Sequence, residues 1–113
     1  MKGDAARVTR LLEGLEADGE EPVLLLWAVA EDIRTLIRLT AALKQGQSVQ
    51  AVRNSLRLWG DKQTLAPIAV KRIQINRLLQ ALQDCAKIDR IIKGAETGNA
   101  WSEFKHLVTG LAV

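Results

Sequence analysis

The amino-acid sequence predicts an all-α protein, a single helical bundle of five to six helices with a long second helix at its centre. Apolar residues recur at helical spacing in most segments, and no segment alternates between apolar and polar residues. No Asn-Gly or Asp-Gly turn joins two alternating segments, as a β-hairpin requires. Only 4% of the residues are aromatic, so aliphatic side chains must fill the interior. The length of 113 residues is that of one modest domain, which we assign to residues 1–113.

The first two helices are predicted from a leucine stripe and from a long apolar run. The first helix ends at Gly19, and its stripe consists of Val8, Leu11, Leu12 and Leu15. The second runs from about Glu21 to Lys44, with Pro22 in the first turn, where the missing N–H is not needed. Because only a short turn separates the two helices, we expect them to pack antiparallel.

The second helix opens with nine apolar residues in a row, PVLLLWAVA, at positions 22–30. A surface helix normally carries one apolar stripe, so this run offers more apolar surface than one packing face needs. Leu24 and Trp27 in the run, and Trp59 further along, are therefore candidates for contact with a partner protein, since Trp is enriched at binding hot spots. Burial in the domain's own core is the alternative for each of them.

Two short helices are predicted next. Ser48 caps the first of them, and Gly60 and Asp61 end it. Its inward residues are expected to be Val49, Val52, Leu56 and Trp59. The second covers LAPIAVKRI, residues 65–73, with Pro67 near its start. We expect Ile68 and Ile73 to face inward.

The last two helices carry clear end signals. The fifth runs from about Ile75 to Lys93, and Gly94 supplies a left-handed C-cap. Its apolar stripe is Ile75, Leu78, Leu79, Leu82, Cys85, Ala86 and Ile92. Asn99 or Thr97 caps the sixth helix. The stripe of this helix is Trp101, Phe104, Leu107, Val108 and Leu111.

Asp89 lies beside the apolar stripe of the fifth helix. A buried carboxylate without a partner is costly, so Asp89 should pair with a cation. Arg34 and Arg38 on the second helix are the expected partners, in an ion pair that orients the two helices.

Charge is distributed unevenly along the chain. Residues 1–45 hold six Lys and Arg against eight Asp and Glu, whereas residues 46–113 hold ten against five. A basic second half favours polyanions. Its candidate phosphate contacts are Arg53, Arg57, Lys71 and Arg72, which makes a stand-alone nucleic-acid-binding helical domain the alternative function.

No set of residues predicts catalysis, a bound metal or a cofactor. His106 is the only histidine, and Cys85 is the only cysteine, on an apolar stripe where cysteine usually acts as a small hydrophobe. Glu31 and Asp32 diverge by about 100° on a helix, so they share no metal or proton. No nucleotide-binding motif occurs. We therefore expect no enzyme activity and no small-molecule substrate. The sequence shows neither a signal peptide nor a membrane-spanning apolar run, so we expect the protein to be cytoplasmic.

Several short motifs, in order along the whole chain, resemble the C-terminal domain of the bacterial DNA polymerase III delta subunit. The first half contributes Gly3-Asp4, Gly19-x-Glu21-Pro22, Leu25-Leu26 and Arg34-x-Leu36. The second half contributes Trp59, Asp89-Arg90-x-Ile92-Lys93-x-x-x-x-Gly98 and Trp101. The positions that match the family are structural ones, namely Gly19, Pro22, Arg34, Asp89, Lys93 and Trp101.

The resemblance implies a non-catalytic role in the clamp loader, the assembly that places the sliding clamp on primed DNA. In this family the domain is a helical collar that packs beside the collar domains of the other loader subunits. The ATPase-like module that precedes the collar in the family has no counterpart in these 113 residues. The resemblance therefore implies other clamp-loader subunits as partners, with at most weak contact to DNA.

Overall fold

The described part of the chain consists of helices and their connecting turns. The computed structural model describes residues 2–60 and 62–112, and the side chains of residues 9–60 and 62–111. This part contains six helices and no strand, which confirms the predicted all-α bundle with a long second helix. They are α1 (Lys2–Ala17), α2 (Pro22–Lys44), α3 (Val49–Val52), α4 (Lys62–Arg72), α5 (Ile75–Ile92) and α6 (Ala100–Ala112).

Local sequence signals set several of the helix ends. Pro22 is the first residue of α2, and the Ser48 hydroxyl accepts a hydrogen bond from Ala51 N–H at 3.1 Å. Gly94, with φ of 80°, ends α5 in a left-handed turn in which its N–H donates to the Ile91 carbonyl at 3.1 Å. The Asn99 side chain accepts from Ser102 N–H at 3.0 Å, so Asn99 is the cap of α6.

The helices pack in the spatial order α1, α6, α5, α2, with α3 and α4 on the far side of α2. Helices α2 and α5 run antiparallel, since Trp27 and Asp89 line one cleft between them and Thr40 and Ile75 line another. The expected antiparallel packing of α1 on α2 is wrong, because α1 packs on α6 instead. A left-handed turn at Gly19, with φ of 78°, and extended backbone at Glu21 separate the first two helices.

The apolar interior is divided into two clusters that meet along α2. The α5 cluster consists of Leu26, Ala30, Ile33, Ile73, Leu78, Ala81, Cys85, Ile88, Phe104 and Leu107. The α4 cluster consists of Leu39, Val52, Leu58 and Ala66. Leu36 is packed against both clusters. The N-terminal half of α2 therefore belongs to one cluster and its C-terminal half to the other.

Several apolar side chains lie outside although we expected them inside. Leu11, Leu79 and Ala86 are exposed because α1 and α5 each bury one narrow face, and Val8, in the same stripe as Leu11, lies outside the described side chains. Ile68 is 57% exposed, because α4 packs through Ala66, which lies on the opposite face of the helix. The helix begins at Lys62, ahead of the expected start. The earlier start also leaves Pro67 inside the helix.

Trp59 is also exposed, because the chain turns sharply before it. Arg57 has φ of 55°, and Leu58 N–H donates to the Arg53 carbonyl at 2.9 Å. This left-handed turn directs Leu58 into the α4 cluster, where it is fully buried, and leaves Trp59 at 52% exposure. The expected inward stripe thus holds at Val52 but not at Trp59.

Candidate interaction surface

A groove of about 550 Å³ runs between α2 and α5. Trp27 forms one wall from α2, and Leu82 and Ala86 form the other wall from α5. Trp27 is 61% exposed, and Leu24, one turn earlier on α2, is 60% exposed. We call Leu24, Trp27 and this groove the α2 surface.

The α2 surface is open because none of the described helices covers the outer face of the apolar run at 22–30. Leu26, Ala30 and Ile33 bury the inner face of α2 in the α5 cluster. The first helix, which we expected to pack on α2, packs on α6 through contacts that include a Lys105–Glu16 ion pair of 3.2 Å. Two large apolar side chains therefore remain in solvent on one side of α2. Leu24 and Trp27 are thus available to a partner, whereas burial in the core does not occur for either.

The ion pairs at the groove differ from those that the sequence predicts. Glu31 lies 3.6 Å from Arg34 and 3.7 Å from Arg38, all on α2. Asp89 pairs with Lys93 on its own helix at 2.9 Å, and its side chain is one-third exposed. The predicted pair between Asp89 and Arg34 or Arg38 is therefore wrong. Asp89 is solvated enough to need no partner on another helix, and Glu31 lies nearer to both arginines.

Cys85 lies at the floor of the groove, with only 4% of its surface exposed. Burial raises the pKa of its thiol to about 11; the Asp84 carboxylate raises the pKa further, and the Arg34 guanidinium opposes the shift. At neutral pH the side chain is therefore the protonated thiol, which is a poor nucleophile. Cys85 acts as a small apolar residue of the core.

The basic candidate residues lie around α3 and α4 rather than in the α2/α5 groove. Arg53 donates to the Gln63 side chain at 3.2 Å, and Arg72 donates to the Leu111 carbonyl at 2.9 Å. Arg57 and Lys71 are exposed and make no ion pair within the described residues. Trp59 lies in the turn between these two groups of cations.

The described side chains contain no group of three or more His, Cys, Asp or Glu residues placed to hold a metal ion. His106 is exposed and lines a shallow cleft with Arg77 and Asp84. Among the described helices none has the length and apolar character needed to cross a bilayer.

Sequence reasoning missed the apolar outer side of α4. Leu65 is 60% exposed and, with Leu36 and Leu58, lines a mostly apolar groove of about 230 Å³ between α2 and α4. Ile68 follows one turn later on the same helix. The spacing of Leu65, Ile68 and Arg72 was visible in the sequence, but this stripe lies on the outside because α4 packs through Ala66.

The comparisons with known proteins all indicate the same protein family. The family model described as the C-terminal domain of the DNA polymerase III delta subunit matches residues 1–102. The chain is 26% identical over 115 residues to DNA polymerase III subunit delta of Haemophilus influenzae, covering 95% of this chain and 33% of that protein. It is 23% identical over 107 residues to the Escherichia coli protein of the same name, covering 95% of this chain and 31% of that protein.

The chain thus spans about one-third of the length of these relatives. The match covers both halves of the molecule, from α1 through the first residues of α6. The chain belongs to the family formed by the C-terminal domains of DNA polymerase III delta subunits.

Proposed function

We propose that this chain is a non-catalytic assembly domain of the replicative clamp loader in the cytoplasm. In this role it packs against the collar domains of other loader subunits, so that the complete subunit helps to load the sliding clamp on primed DNA. Family membership supports the link to the delta subunit, and the chain's contribution is structural rather than catalytic.

The observation that carries the proposal is the exposed pair Leu24 and Trp27 on α2. A monomer leaves single apolar side chains in solvent without consequence, but adjacent large ones beside a groove are typical of an interaction site. Trp27 also has the residue type that contributes most at protein interfaces.

The test is complex formation by the complete subunit that contains this domain, mixed with the other loader subunits. Trp27→Ser should weaken assembly by about 30-fold or more, as the loss of a central aromatic anchor does. Size-exclusion chromatography and sedimentation velocity measure the complex. Leu11→Ser is the matched control, since Leu11 is 63% exposed on α1, away from the α2/α5 groove, and should leave assembly unchanged.

Normal assembly by the Trp27→Ser variant would remove the basis of this proposal. The isolated chain should also hydrolyse no ATP, and turnover by pure protein would contradict a structural role. Trp59 was also predicted to contact a partner protein, and Trp59→Ser tests that prediction in the same assay.

A nucleic-acid-binding domain is the second candidate function, supported by the basic second half and the exposed Trp59. The described neighbours of Arg57 and Lys71 offer these two cations no ion-pair partner. Binding through phosphates would weaken with salt, with a slope of about −0.9 per phosphate contact on duplex DNA. Salt-dependent binding that Arg57→Gln and Lys71→Gln both reduce, without loss of assembly in Trp27→Ser, would favour this function over the first.

A further inference from the structure

The outer side of α4 combines exposed aliphatic side chains with positive charge. Leu65 and Ile68 are 60% and 57% exposed, and Arg72 follows on the same stripe, one turn after Ile68. Lys71 is exposed one turn after Ile68, where it lines a neighbouring cleft with Thr40 and Lys44 of α2. We call Leu65, Ile68, Lys71 and Arg72, with the α2/α4 groove beside them, the α4 surface.

Positive charge dominates the chain around the α4 surface. Residues 46–83 contain six Lys and Arg and one acidic residue, Asp61. Asp32 on α2, a carboxylate that lines the α2/α4 groove, already pairs with Lys62 at 3.3 Å. Lys71 has no ion-pair partner in the ranges that the structure describes. A ligand that docks here meets an apolar stripe with unneutralised cations at its edge.

We propose that the α4 surface docks an acidic amphipathic helix of a partner protein. Apolar side chains of that helix would fill the groove beside Leu65 and cover Ile68, in the helix-in-groove mode. Its carboxylates would face Lys71 and Arg72, because complementary charge steers and orients such contacts.

Two other occupants fit the α4 surface less well. A second copy of this chain would bring Lys71 and Arg72 against the same residues of its partner, because a two-fold interface joins identical patches. Like charges placed together oppose that contact. A nucleic acid would neutralise the cations but would leave Leu65 and Ile68 without an apolar partner, since aliphatic side chains do not stack on bases as aromatic ones do.

The α4 surface is separate from the α2 surface. Asp32 and Leu36 face α4 from one side of α2, whereas Trp27 and Arg34 face the α2/α5 groove from another. The proposal therefore does not depend on collar assembly, and each proposal has variants that leave the other surface intact.

The experiment uses the 113-residue chain and two stapled helical peptides of about 18 residues with identical leucine spacing. One peptide carries Glu at its polar positions and the other carries Lys. Isothermal titration at moderate salt should give a dissociation constant at least about tenfold lower for the acidic peptide. Ile68→Ser should weaken that binding about fivefold or more, whereas Leu11→Ser, which removes an equally exposed aliphatic side chain from α1, should not.

Lys71→Glu provides a second variant that leaves the apolar surface unchanged. It should lower the preference for the acidic peptide by about fivefold or more and improve binding of the Lys peptide. Circular dichroism verifies that each variant keeps its helical content. Equal binding of the two peptides, or binding that neither variant changes, overturns the proposal.

Two further measurements test the competing occupants. A single-stranded oligonucleotide that binds more tightly than the acidic peptide, without any effect of Ile68→Ser, would overturn the proposal in favour of a nucleic acid. A dimer in sedimentation that Ile68→Ser dissociates would overturn it in favour of a second copy.

Discussion

Gly98 is held against Ile91 in a backbone conformation that side chains rarely adopt. Its φ is 151°, and a Cβ at this position would lie 2.9 Å from Ile91 Cδ1. Gly98→Ala should therefore lower the free energy of unfolding by about 1–2 kcal/mol, through backbone strain and displacement of Ile91. Chemical denaturation followed by circular dichroism measures the change.

Gly14 is the matched control for this substitution. It lies inside α1 with φ in the ordinary helical region and nothing within 4 Å of an added Cβ. Gly14→Ala should raise stability by about 0.5–1 kcal/mol, because alanine favours the helix. Equal effects of the two substitutions would show that local backbone conformation does not control stability at Gly98.

Cys85 makes stability depend on pH in the alkaline range. Its thiol has a pKa of about 11 in the folded protein against 9.0 when unfolded, chiefly because of burial. The unfolded thiol therefore loses its proton first as pH rises. The stabilisation that comes from the buried, protonated thiol is therefore complete below about pH 9. It is lost between pH 9 and 11, which lowers the free energy of unfolding by an amount on the order of 2 kcal/mol.

The measurement compares the wild type with Cys85→Ala in denaturant titrations from pH 7 to above pH 10. Both proteins share the titration of their lysines, so the difference isolates the thiol. The difference in unfolding free energy should shrink as pH rises. A difference in unfolding free energy that stays constant with pH would contradict the raised pKa of the buried thiol.

The turn between α3 and α4 has an arginine where a glycine would be less strained. Arg57, with φ of 55°, occupies the left-handed position of a Schellman-type turn, in which Leu58 N–H donates to the Arg53 carbonyl. Arg57→Gly should stabilise the protein by about 1 kcal/mol in urea titrations. Arg53→Gly is the control, since Arg53 is in the right-handed region and bonds Gln63, and it should destabilise.

Helix ends could be predicted from the sequence because their signals are local. Ser48, Gly94 and Asn99 each act within three or four residues along the chain. The left-handed turn at Arg57 has no such signal, because the residue is not a glycine. The outward position of Ile68 was missed for another reason, since the face of α4 that packs depends on the neighbouring helices and not on α4 alone.

For the charged candidate Asp89, the spacing rule for ion pairs on one helix would have predicted the observed partner. Lys93 is four residues after Asp89 on α5, which is the usual spacing for an ion pair on one helix. The predicted interhelical pair assumed that Asp89 is buried, and its one-third exposure removes that assumption. The burial of a residue beside a stripe depends on neighbouring helices and not on its own helix alone.

The packing of α1 on α6 joins residues about 90 positions apart, such as Glu16 and Lys105. A short connection between α1 and α2 favours contact between them, but tertiary packing decides it. The exposure of Leu24 and Trp27 follows from that choice, which is why the sequence left both burial and exposure open for them. The residue types of the candidate site could be predicted from the sequence, whereas the solvent exposure of their side chains could not.

The two clusters of the interior predict unequal local stability across the molecule. The α5 cluster contains ten buried residues, whereas the α4 cluster contains four. Amides of α3 and α4 should therefore exchange with solvent through openings of lower free energy than amides of α5. Hydrogen exchange followed by mass spectrometry measures both sets in one sample. Equal protection of α4 and α5 would contradict this division.

The unbroken α2 helix has a consequence for any assembly that uses both of its sides. It passes through both clusters, so Trp27 near its start and the α2/α4 groove beside Asp32 and Leu36 at its middle are attached to one rigid rod. Two partners bound there would be held at a constant separation, set by the rise of the helix rather than by a flexible linker. The domain would then act as a spacer that transmits a displacement of one partner directly to the other.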